Sequence, residues 1–385
     1  MRIVVAPSGF KESLEADEVA RCIERGVLRA LPEAQVVRLP LVDGGEGFTR
    51  ALVEATGGSI HQVTVTGPTG HPVASHFGVL GDGGSRTAVI EMAAAAGLRL
   101  VPRNARDPLL TTTWGVGELL TAALDTGAER ILVGCGDSGT SDGGAGMAQA
   151  LGVRLLDHTG AELSPGGLEL SRLDRIDLTG RDPRLGDVSI DVACNWHNLL
   201  CGPHGVARVF GPQKGASPHA VERLAAALEH YADVIERDIG VDVRTTPGSG
   251  ASGGLGAGLQ ALLGATLHPR FEIVMRYLNL DDQLRGADLA ITAEGTLDHH
   301  SPKGKVPAEV ARQAKAYGVP VIALAGTIGP AARINLDHGI AAYMSILCAP
   351  CTLDDAINQT AELLTDAAEQ ALRLIKVGQD IATKT

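Results

Sequence analysis

The chain has 385 residues, 44% of them hydrophobic and 20% charged, which is the composition of a globular protein with two or three domains and ample core. Its formal net charge of −12 argues against a surface for nucleic acid or an anionic membrane, although a small anionic ligand needs only a few local cations. Aromatic residues make up only 3%, so surfaces on which bases could stack are scarce.

The first elements alternate between strand and helix. Residues 2–6 predict a buried strand, Ser13 is placed to cap a helix over about 14–31, and residues 35–39 form the next strand. No hydrophobic region for secretion opens the chain, and most of the six cysteines sit in apolar surroundings. We therefore expect a reduced, cytoplasmic protein. The longest uncharged stretch, 245–269, carries seven glycines and a histidine and is rejected as a membrane span.

The middle of the chain has a different pattern. From His61 to Met92, short alternating runs separated by Gly-Pro and Gly-Asp turns predict antiparallel strands. More α/β material follows, with helices predicted over 115–126, after Asp142 and over 218–239, and strands over 130–134 and 188–194.

The tail returns to the alternating rhythm, which predicts parallel strands with helices on both faces. Strands are predicted over 288–292, 319–324 and 341–347, and helices over 306–317 and 353–375. The fold class is therefore α/β with two domains. A Rossmann- or flavodoxin-like parallel-sheet domain is built from both chain ends, 1–60 and 281–385, and a mixed α/β domain, 61–280, is inserted. We expect the site in the cleft between them.

Two glycine-acid segments read almost alike: Asp-Gly-Gly-Glu-Gly-Phe at 43–48 and Asp-Gly-Gly-Ala-Gly-Met at 142–147. Each places an acid and glycines before a predicted helix, whose free N–H groups suit phosphate or carboxylate. The alternative is a pair of capped helices after tight turns. Their occurrence together favours a ligand site.

Further polar clusters follow predicted strands, where an open α/β sheet places its ligands. They are Ser-Gly-Phe-Lys at 8–11, the small-residue run 134–142, the lysine turn 210–215, and 292–298 with Lys303 and Lys305 soon after. Acids, lysines and glycine loops together are what phosphoryl transfer needs. Lys214, flanked by glycine and proline, is expected to be an exposed loop lysine.

Familiar signatures add little. The chain has no G-x-x-x-x-G-K-[ST] loop, and the G-x-G-x-x-G run at 248–253 follows no strand, so a dinucleotide site is not indicated. That run could cover phosphate or serve tight helix packing. Cys348 and Cys351 have redox or zinc spacing but lack a second pair.

Taken in order, the segments resemble the type 1 glycerate kinase family. The matching motifs are Ile-Val-Val-Ala-Pro at 3–7, Phe-Lys at 10–11, Leu-Pro-Leu-Val-Asp-Gly-Gly-Glu-Gly at 39–47, Ala-Val-Ile-Glu-Met-Ala at 88–93, Pro-Leu-Leu-Thr-Thr-Thr at 108–113, Ser-Asp-Gly-Gly-Ala-Gly-Met at 141–147, Val-Phe-Gly-Pro-Gln-Lys-Gly-Ala at 209–216, Gly-Gly-Leu-Gly-Ala at 253–257, Ile-Thr at 291–292 and Glu-Gly at 294–295. The resemblance covers essentially the whole chain. It implies ATP and Mg²⁺ as cofactors and phosphorylation of a D-glycerate hydroxyl.

The chain departs from the family pattern at a few positions. Ser8-Gly9 stands where the family has Asp-Ser, Asn195 and His197 replace two aspartates, and Thr296 replaces an arginine. These changes fall in the expected cleft, so a kinase for a different small hydroxy acid or polyol is an alternative. A non-catalytic relative that binds small molecules is a second alternative.

The candidate residues follow from the motifs and the resemblance. The candidate catalytic acids are Asp43, Asp142 and Glu294. The candidates for binding substrate or phosphate are Lys11, Ser138, Thr140, Asn195, Lys214, Asp298 and Lys305, and those for Mg²⁺ are Asp142 and Asn195. For the acids the alternative is a structural cap, and for the lysines a solvated loop side chain. The number of subunits stays open, a homodimer included.

Overall fold

The computed structural model describes residues 1–10, 13–42, 44–81, 84–302 and 305–383. The chain divides into two compact units, the first formed by Met1–Val42 with Val274–Thr385 and the second by Asp43–Ile273. The sequence predicted these divisions at 60/61 and 280/281, whereas residues 43–60 belong to the second compact unit and residues 274–280 to the first.

The described residues contain thirteen strands and thirteen α-helices. The strands are β1 (Arg2–Val5), β2 (Gln35–Arg38), β3 (Ser59–Thr66), β4 (Pro72–Val79), β5 (Thr87–Glu91), β6 (Arg130–Gly134), β7 (Arg154–Leu156), β8 (Arg175–Asp177), β9 (Ser189–Cys194), β10 (Thr266–Pro269), β11 (Leu289–Leu297), β12 (Val321–Ile328) and β13 (Ala342–Ser345). The helices are α1 (Ala16–Ala30), α2 (Phe48–Thr56), α3 (Ala93–Ala96), α4 (Trp114–Asp125), α5 (Ala145–Ala150), α6 (Val206–Phe210), α7 (Pro218–Ile239), α8 (Ala251–Leu263), α9 (Arg270–Tyr277), α10 (Leu280–Leu284), α11 (Val306–Ala316), α12 (Ile334–Asp337) and α13 (Leu353–Ala382).

The first unit is built on a five-stranded sheet in the order β13-β12-β11-β1-β2, and every pair in it is parallel. Numbered along the unit, this is the flavodoxin-like order 2-1-3-4-5, which confirms the predicted fold class. The interior strand β1 has a fully buried apolar run, Ile3, Val4 and Val5, as expected for a strand covered on both faces. In this topology ligands bind at the carboxyl ends of β1 and β11, where the winding reverses.

The second unit is built on a six-stranded mixed sheet in the order β10-β9-β6-β5-β4-β3. The strands β3, β4 and β5 pair antiparallel, as the short alternating runs predict. From β5 to β10 the pairing is parallel, so the carboxyl ends of β5, β6 and β9 meet at one edge. The loops that follow these strands carry most of the glycine-rich motifs.

One predicted cap is wrong. Helix α1 begins after Glu15, which makes no side-chain cap. Ser13 instead hydrogen bonds through its Oγ to the Ile357 carbonyl oxygen and to Thr360 Oγ1, both on α13. The Ser13 hydroxyl therefore bonds to α13, which is distant in sequence, and not to the N–H groups at the start of α1.

Among the described residues no helix combines the length and the apolar character that crossing a membrane requires.

Candidate functional site

The segment that follows β1 lies beside β11 at the carboxyl edge of the five-stranded sheet. Thr292 Oγ1 donates to the Ala6 carbonyl oxygen at 2.8 Å, and the Ser8 N–H donates to the Ala293 oxygen at 2.9 Å. The Ser8 hydroxyl donates to the same Ala293 oxygen at 3.0 Å. These contacts bring the 6–10 segment to the strand end that carries Glu294. Lys11, the candidate lysine of that segment, is outside the described residues.

Three of the predicted residues meet at this edge. Lys305, which begins α11, places its Nζ 3.4 Å from Glu294 Oε1 and 3.9 Å from Asp298 Oδ1. The same Nζ donates to the Thr296 carbonyl oxygen at 3.1 Å. The lysine side chain is 31% exposed, and the two carboxylate side chains are 20% and 18% exposed, so a ligand can reach all three.

Asp298 is held in a tight turn. Its Oδ1 accepts a hydrogen bond from the His300 N–H at 2.8 Å, and its own N–H donates to Ser301 Oγ at 3.0 Å. Burial alone would raise the pKa of Asp298, but the His300 hydrogen bond and the charge of Lys305 outweigh it and lower the pKa below its ordinary value. The carboxylate is therefore ionised and oriented at neutral pH.

The predicted residues of the second unit form a different kind of cluster. Lys214 is only 2% exposed, which corrects the expectation of an exposed loop lysine. Its Nζ donates to Ser138 Oγ at 2.8 Å and to the Thr140 carbonyl oxygen at 2.6 Å. The Lys214 side chain therefore points into the protein, where both of its acceptors belong to the loop after β6.

Asp142 is fully buried, and its carboxylate accepts hydrogen bonds from four donors. Oδ2 accepts from the Thr113 N–H at 2.8 Å, from Thr113 Oγ1 at 2.9 Å and from the Gly146 N–H at 3.2 Å, while Oδ1 accepts from the Gly144 N–H at 3.2 Å. These are the contacts of an anchor for the start of α5. The role of Asp142 as a catalytic acid or a Mg²⁺ ligand stays a prediction.

Burial dominates the electrostatics of this cluster. It lowers the pKa of Lys214 to about 7, with the charge of Asp142 opposing the shift. Burial also raises the pKa of Asp142, against the hydrogen bonds from Thr113 and the glycine amides. Tyr231, buried on α7, has its pKa raised by burial and by the charge of Asp142. A buried group that titrates near neutral pH close to an opposite charge is a recurring feature of functional sites and of structural networks.

The glycines of this unit allow backbones to approach one another. A Cβ on Gly136 would lie 2.6 Å from Gly45, and one on Gly253 would lie 2.0 Å from the Thr140 oxygen. Gly254 likewise packs on Gly143. The close backbone packing of the 248–258 segment supports the packing alternative for the G-x-G-x-x-G run.

Asn195 follows β9 and is half-buried, and its Oδ1 accepts a hydrogen bond from the His197 N–H at 3.1 Å. His197 itself is exposed. Asp43 lies outside the described residues, so its predicted role as a catalytic acid stays a prediction.

Sequence reasoning missed three residues that organise these loops. Thr113 provides two of the donors to Asp142, and Asp137 Oδ2 accepts from the Glu46 N–H at 3.0 Å. Glu91 Oε2 accepts from the Thr49 N–H at 2.9 Å. Thr113 and Glu91 belong to motifs that resemble the glycerate kinase family. Those motifs indicated that the two residues matter, but they did not indicate which residues they contact.

The potential metal ligands of the described part of the chain do not form a cluster. Across 1–10, 13–42, 44–81, 84–302 and 305–383, no three His, Cys, Asp or Glu side chains come together in a way that could hold a metal ion. Cys348 and Cys351 are free and exposed.

The comparisons with known proteins agree with this architecture. The model of the "Glycerate kinase family" matches residues 3–376. A glycerate kinase of Bacillus subtilis (strain 168) is 48% identical over 379 residues, covering 98% of this chain and 99% of that protein. A glycerate 2-kinase of Escherichia coli (strain K12) is 47% identical, with coverage of 98% and 99%. A crystal structure described as a glycerate kinase 2, from Salmonella typhimurium LT2, superposes with a TM-score of 0.86 at 49% identity and covers 98% of this chain and 99% of its own.

Proposed function

We propose that this chain, which belongs to the glycerate kinase family and is a phosphotransferase with an alcohol acceptor, transfers the γ-phosphoryl group of ATP to a hydroxyl of D-glycerate. The observation that carries the proposal beyond family membership is the cluster of Lys305, Glu294 and Asp298 at the carboxyl edge of the five-stranded sheet. It combines a cation with two accessible carboxylates at the place where this topology binds ligands.

Each member of the cluster has a part in the transfer. Lys305 neutralises negative charge on the transferring phosphoryl group, and its hydrogen bond to the Thr296 oxygen fixes the ammonium group in place. Glu294 accepts the proton of the attacking hydroxyl. Asp43, which is outside the described residues, is the alternative base. The hydroxyl oxygen bonds to the γ-phosphorus as the bond to the β,γ-bridging oxygen breaks, and ADP leaves.

A nucleotide-dependent transfer of this kind implies Mg²⁺, and Asp298 is the member of this cluster that suits it. Asp298 presents a partly exposed carboxylate, and Mg²⁺ commonly binds through one or two carboxylates together with substrate phosphates. The buried carboxylate of Asp142 fits less well because four hydrogen bonds already occupy it. When bound, Mg²⁺ would offset charge on the phosphate oxygens.

In the second unit we assign Lys214, Ser138, Thr140 and Asp142 to holding the glycine-rich loops after β6. Lys214 spans 76 residues of sequence to reach Ser138, and its bond to the Thr140 oxygen fixes the backbone just before Asp142. Rigid loops at strand ends place ligand-binding N–H groups without reorganisation during the reaction. Asn195 stays a candidate for contact with the acceptor through its amide.

The proposal is tested by measuring ADP release with ATP, Mg²⁺ and D-glycerate, and by identifying the product. Turnover that requires glycerate is expected, and ³¹P NMR of the product distinguishes 2-phosphoglycerate from 3-phosphoglycerate. Omitting Mg²⁺ and adding EDTA tests the metal. Absence of turnover with glycerate and every other acceptor, together with calorimetric binding of ATP or glycerate, would indicate a non-catalytic relative instead.

A second candidate function is favoured by the departures at 195, 197 and 296. His197, which stands where the family pattern has an aspartate, and its neighbour Trp196 are both exposed, so the loop after β9 presents two large side chains. A larger or less acidic acceptor than glycerate would suit that loop. The same assay across short hydroxy acids and polyols, compared by kcat/KM, decides between the two acceptors.

We place the reaction in the cytoplasm, where ATP is available. Localisation of the full chain by fractionation tests this placement. Light scattering during size-exclusion chromatography determines whether the chain is a monomer or a homodimer.

A further inference from the structure

Glu91 is a buried acid at the end of β5, in a motif that is otherwise apolar. The residue is 1% exposed, and its neighbours Ile90 and Met92 are fully buried. Its Oε2 accepts a hydrogen bond from the Thr49 N–H at 2.9 Å, and the Gly47 N–H also bonds to the carboxylate. A buried carboxylate is costly, so these contacts require an explanation.

The contacts of Glu91 lie at the start of α2. The residue at the cap position of this helix is Gly47, which has no side chain and adopts a left-handed φ of 82°. The first N–H groups of α2 therefore need an acceptor from another part of the chain. Glu91, 42 residues away in sequence, provides that acceptor and so holds the end of the 44–47 glycine segment.

The chain that follows Glu91 contacts both glycine-rich loops. Arg99 Nε lies 3.2 Å from Glu46 Oε1. The Leu98 N–H donates to the Asp137 oxygen at 2.8 Å, and the Gly139 N–H donates to the Ala96 oxygen at 2.9 Å. Residues 91–99 therefore connect the 44–47 segment to the loop after β6.

Several polar and charged groups around the Glu91 carboxylate act on its pKa. Burial raises its pKa, the amides of Thr49 and Gly47 and the charge of Arg99 oppose that shift, and Glu46 adds to it. His76 Nε2 lies 3.7 Å from Glu91 Oε1. The pKa of His76 is lowered by burial and then by the charges of Arg50 and Arg99, so its ring is neutral at neutral pH.

We propose that Glu91 is a positioning residue for phosphoryl transfer, acting through the 44–47 glycine segment, which it anchors at the start of α2. This inference rests on the proposed kinase function. Glycine-rich backbone has many accessible conformations, and only an external anchor selects one of them. A displacement of about 1 Å in a positioning loop can cost about 100-fold in rate.

The test compares Glu91→Ala and Glu91→Gln with a matched control, Glu118→Ala. Glu118 lies on α4 and is half-buried, and like Glu91 it accepts a hydrogen bond from a backbone N–H, that of Thr66; it also accepts from the Thr66 hydroxyl at 3.0 Å. Both Glu→Ala changes therefore remove a carboxylate that anchors backbone. Only Glu91 contacts the glycine segment.

We expect Glu91→Ala to lower kcat by about 10-fold or more. Hydrogen exchange of the amides in 44–52 should accelerate, measured without substrate. Glu91→Gln, which keeps one acceptor oxygen, should recover part of both effects. Glu118→Ala should lower the melting temperature while leaving kcat and exchange in 44–52 within about two-fold of the wild type.

Two results would overturn the inference. One is unchanged exchange in 44–52 for both Glu91 variants. The other is a kcat for Glu91→Ala that matches that of Glu118→Ala at equal loss of melting temperature. The exchange measurement needs no turnover, so it judges the anchor even if glycerate proves not to be the acceptor. If Glu91→Ala does not fold, Glu91→Gln serves for both measurements.

Discussion

Two lysines in this protein stand beside acids, and their surroundings are opposite. Lys214 in the second unit is buried, donates to a hydroxyl and a carbonyl oxygen, and has its pKa lowered to about 7 by burial. Lys305 in the first unit is partly exposed and lies between two carboxylates. In the sequence both look alike, as a lysine directly beside a glycine.

From this difference we expect Lys214 to hold a loop in place and Lys305 to contact a ligand. The hydrogen bonds of Lys214 and Asp142 are satisfied inside the protein, so changing either should first affect stability. The cluster around Lys305 keeps exposed surface on every member, so changing it should first affect turnover.

The largest effect is expected from Asp142→Asn. The substitution should lower the free energy of unfolding by about 3–5 kcal/mol, because it removes a buried charge beside Lys214 and turns an amide NH₂ toward existing donors. Chemical denaturation measures the loss. The control is Asp177→Asn, which changes an accessible acid that accepts from Thr179 in a surface turn. Equal losses of unfolding free energy in the two variants would show that Asp142 does not anchor the start of α5.

The next effect is on turnover. We expect Lys305→Met to lower kcat/KM by about 100-fold, since the cation that offsets phosphoryl charge is lost, with little change in melting temperature. Lys315→Met, on the exposed side of α11, should leave both unchanged. A large fall in melting temperature with kcat/KM within about three-fold of wild type would make Lys305 a structural lysine like Lys214.

The third prediction concerns pH. The folded pKa of Lys214, about 7, lies below the value of about 10.4 for lysine in an unfolded chain. Above pH 7 the native state releases this proton while the unfolded state keeps it, so stability gains up to about 1.4 kcal/mol per pH unit. Denaturation at pH 7, 8 and 9 should show this gain in the wild type and in Lys315→Met, and its loss in Lys214→Met. An unchanged slope in Lys214→Met would contradict the burial of a titrating amine.

The smallest effect is expected where the chain departs from the family pattern. Restoring the family residues with Asn195→Asp, His197→Asp and Thr296→Arg together should change kcat/KM for D-glycerate by about 3- to 10-fold, because charges at half-buried or exposed positions that water still reaches contribute about 0.2–1 kcal/mol each. The ratio of kcat/KM for glycerate to that for a larger hydroxy acid measures the shift. Strong wild-type glycerate turnover that the triple variant leaves unaltered would show that the departures are neutral.

Element positions were largely predictable from the sequence. The strand at 130–134 and the helix at 218–239 were placed at their observed bounds, since each has a clear period and flanking turn residues. Helix α13 runs to Ala382, beyond the predicted end at 375. The short helices α9 and α10 were not predicted, because segments of eight and five residues carry too little periodicity.

The sequence predicted which residues belong to candidate sites, but not all of the contacts that they make. Glu294, Asp298 and Lys305 lie within 12 residues of one another, and the structure brings them together. The partners of Lys214 and Glu91 are 76 and 42 residues away and depend on which strands become neighbours. No local pattern specifies those distances.

By itself the sequence determined the α/β class, the motifs that follow each strand and the resemblance to a kinase family, because hydrophobic period and glycine placement act locally. Tertiary structure alone decided that Lys214 and Asp142 are buried and that the Lys305 cluster stays accessible. It also decided that Glu91 anchors α2. The physical reason is that burial belongs to the surroundings of a side chain: the same charged residue costs free energy inside the protein and little at its surface.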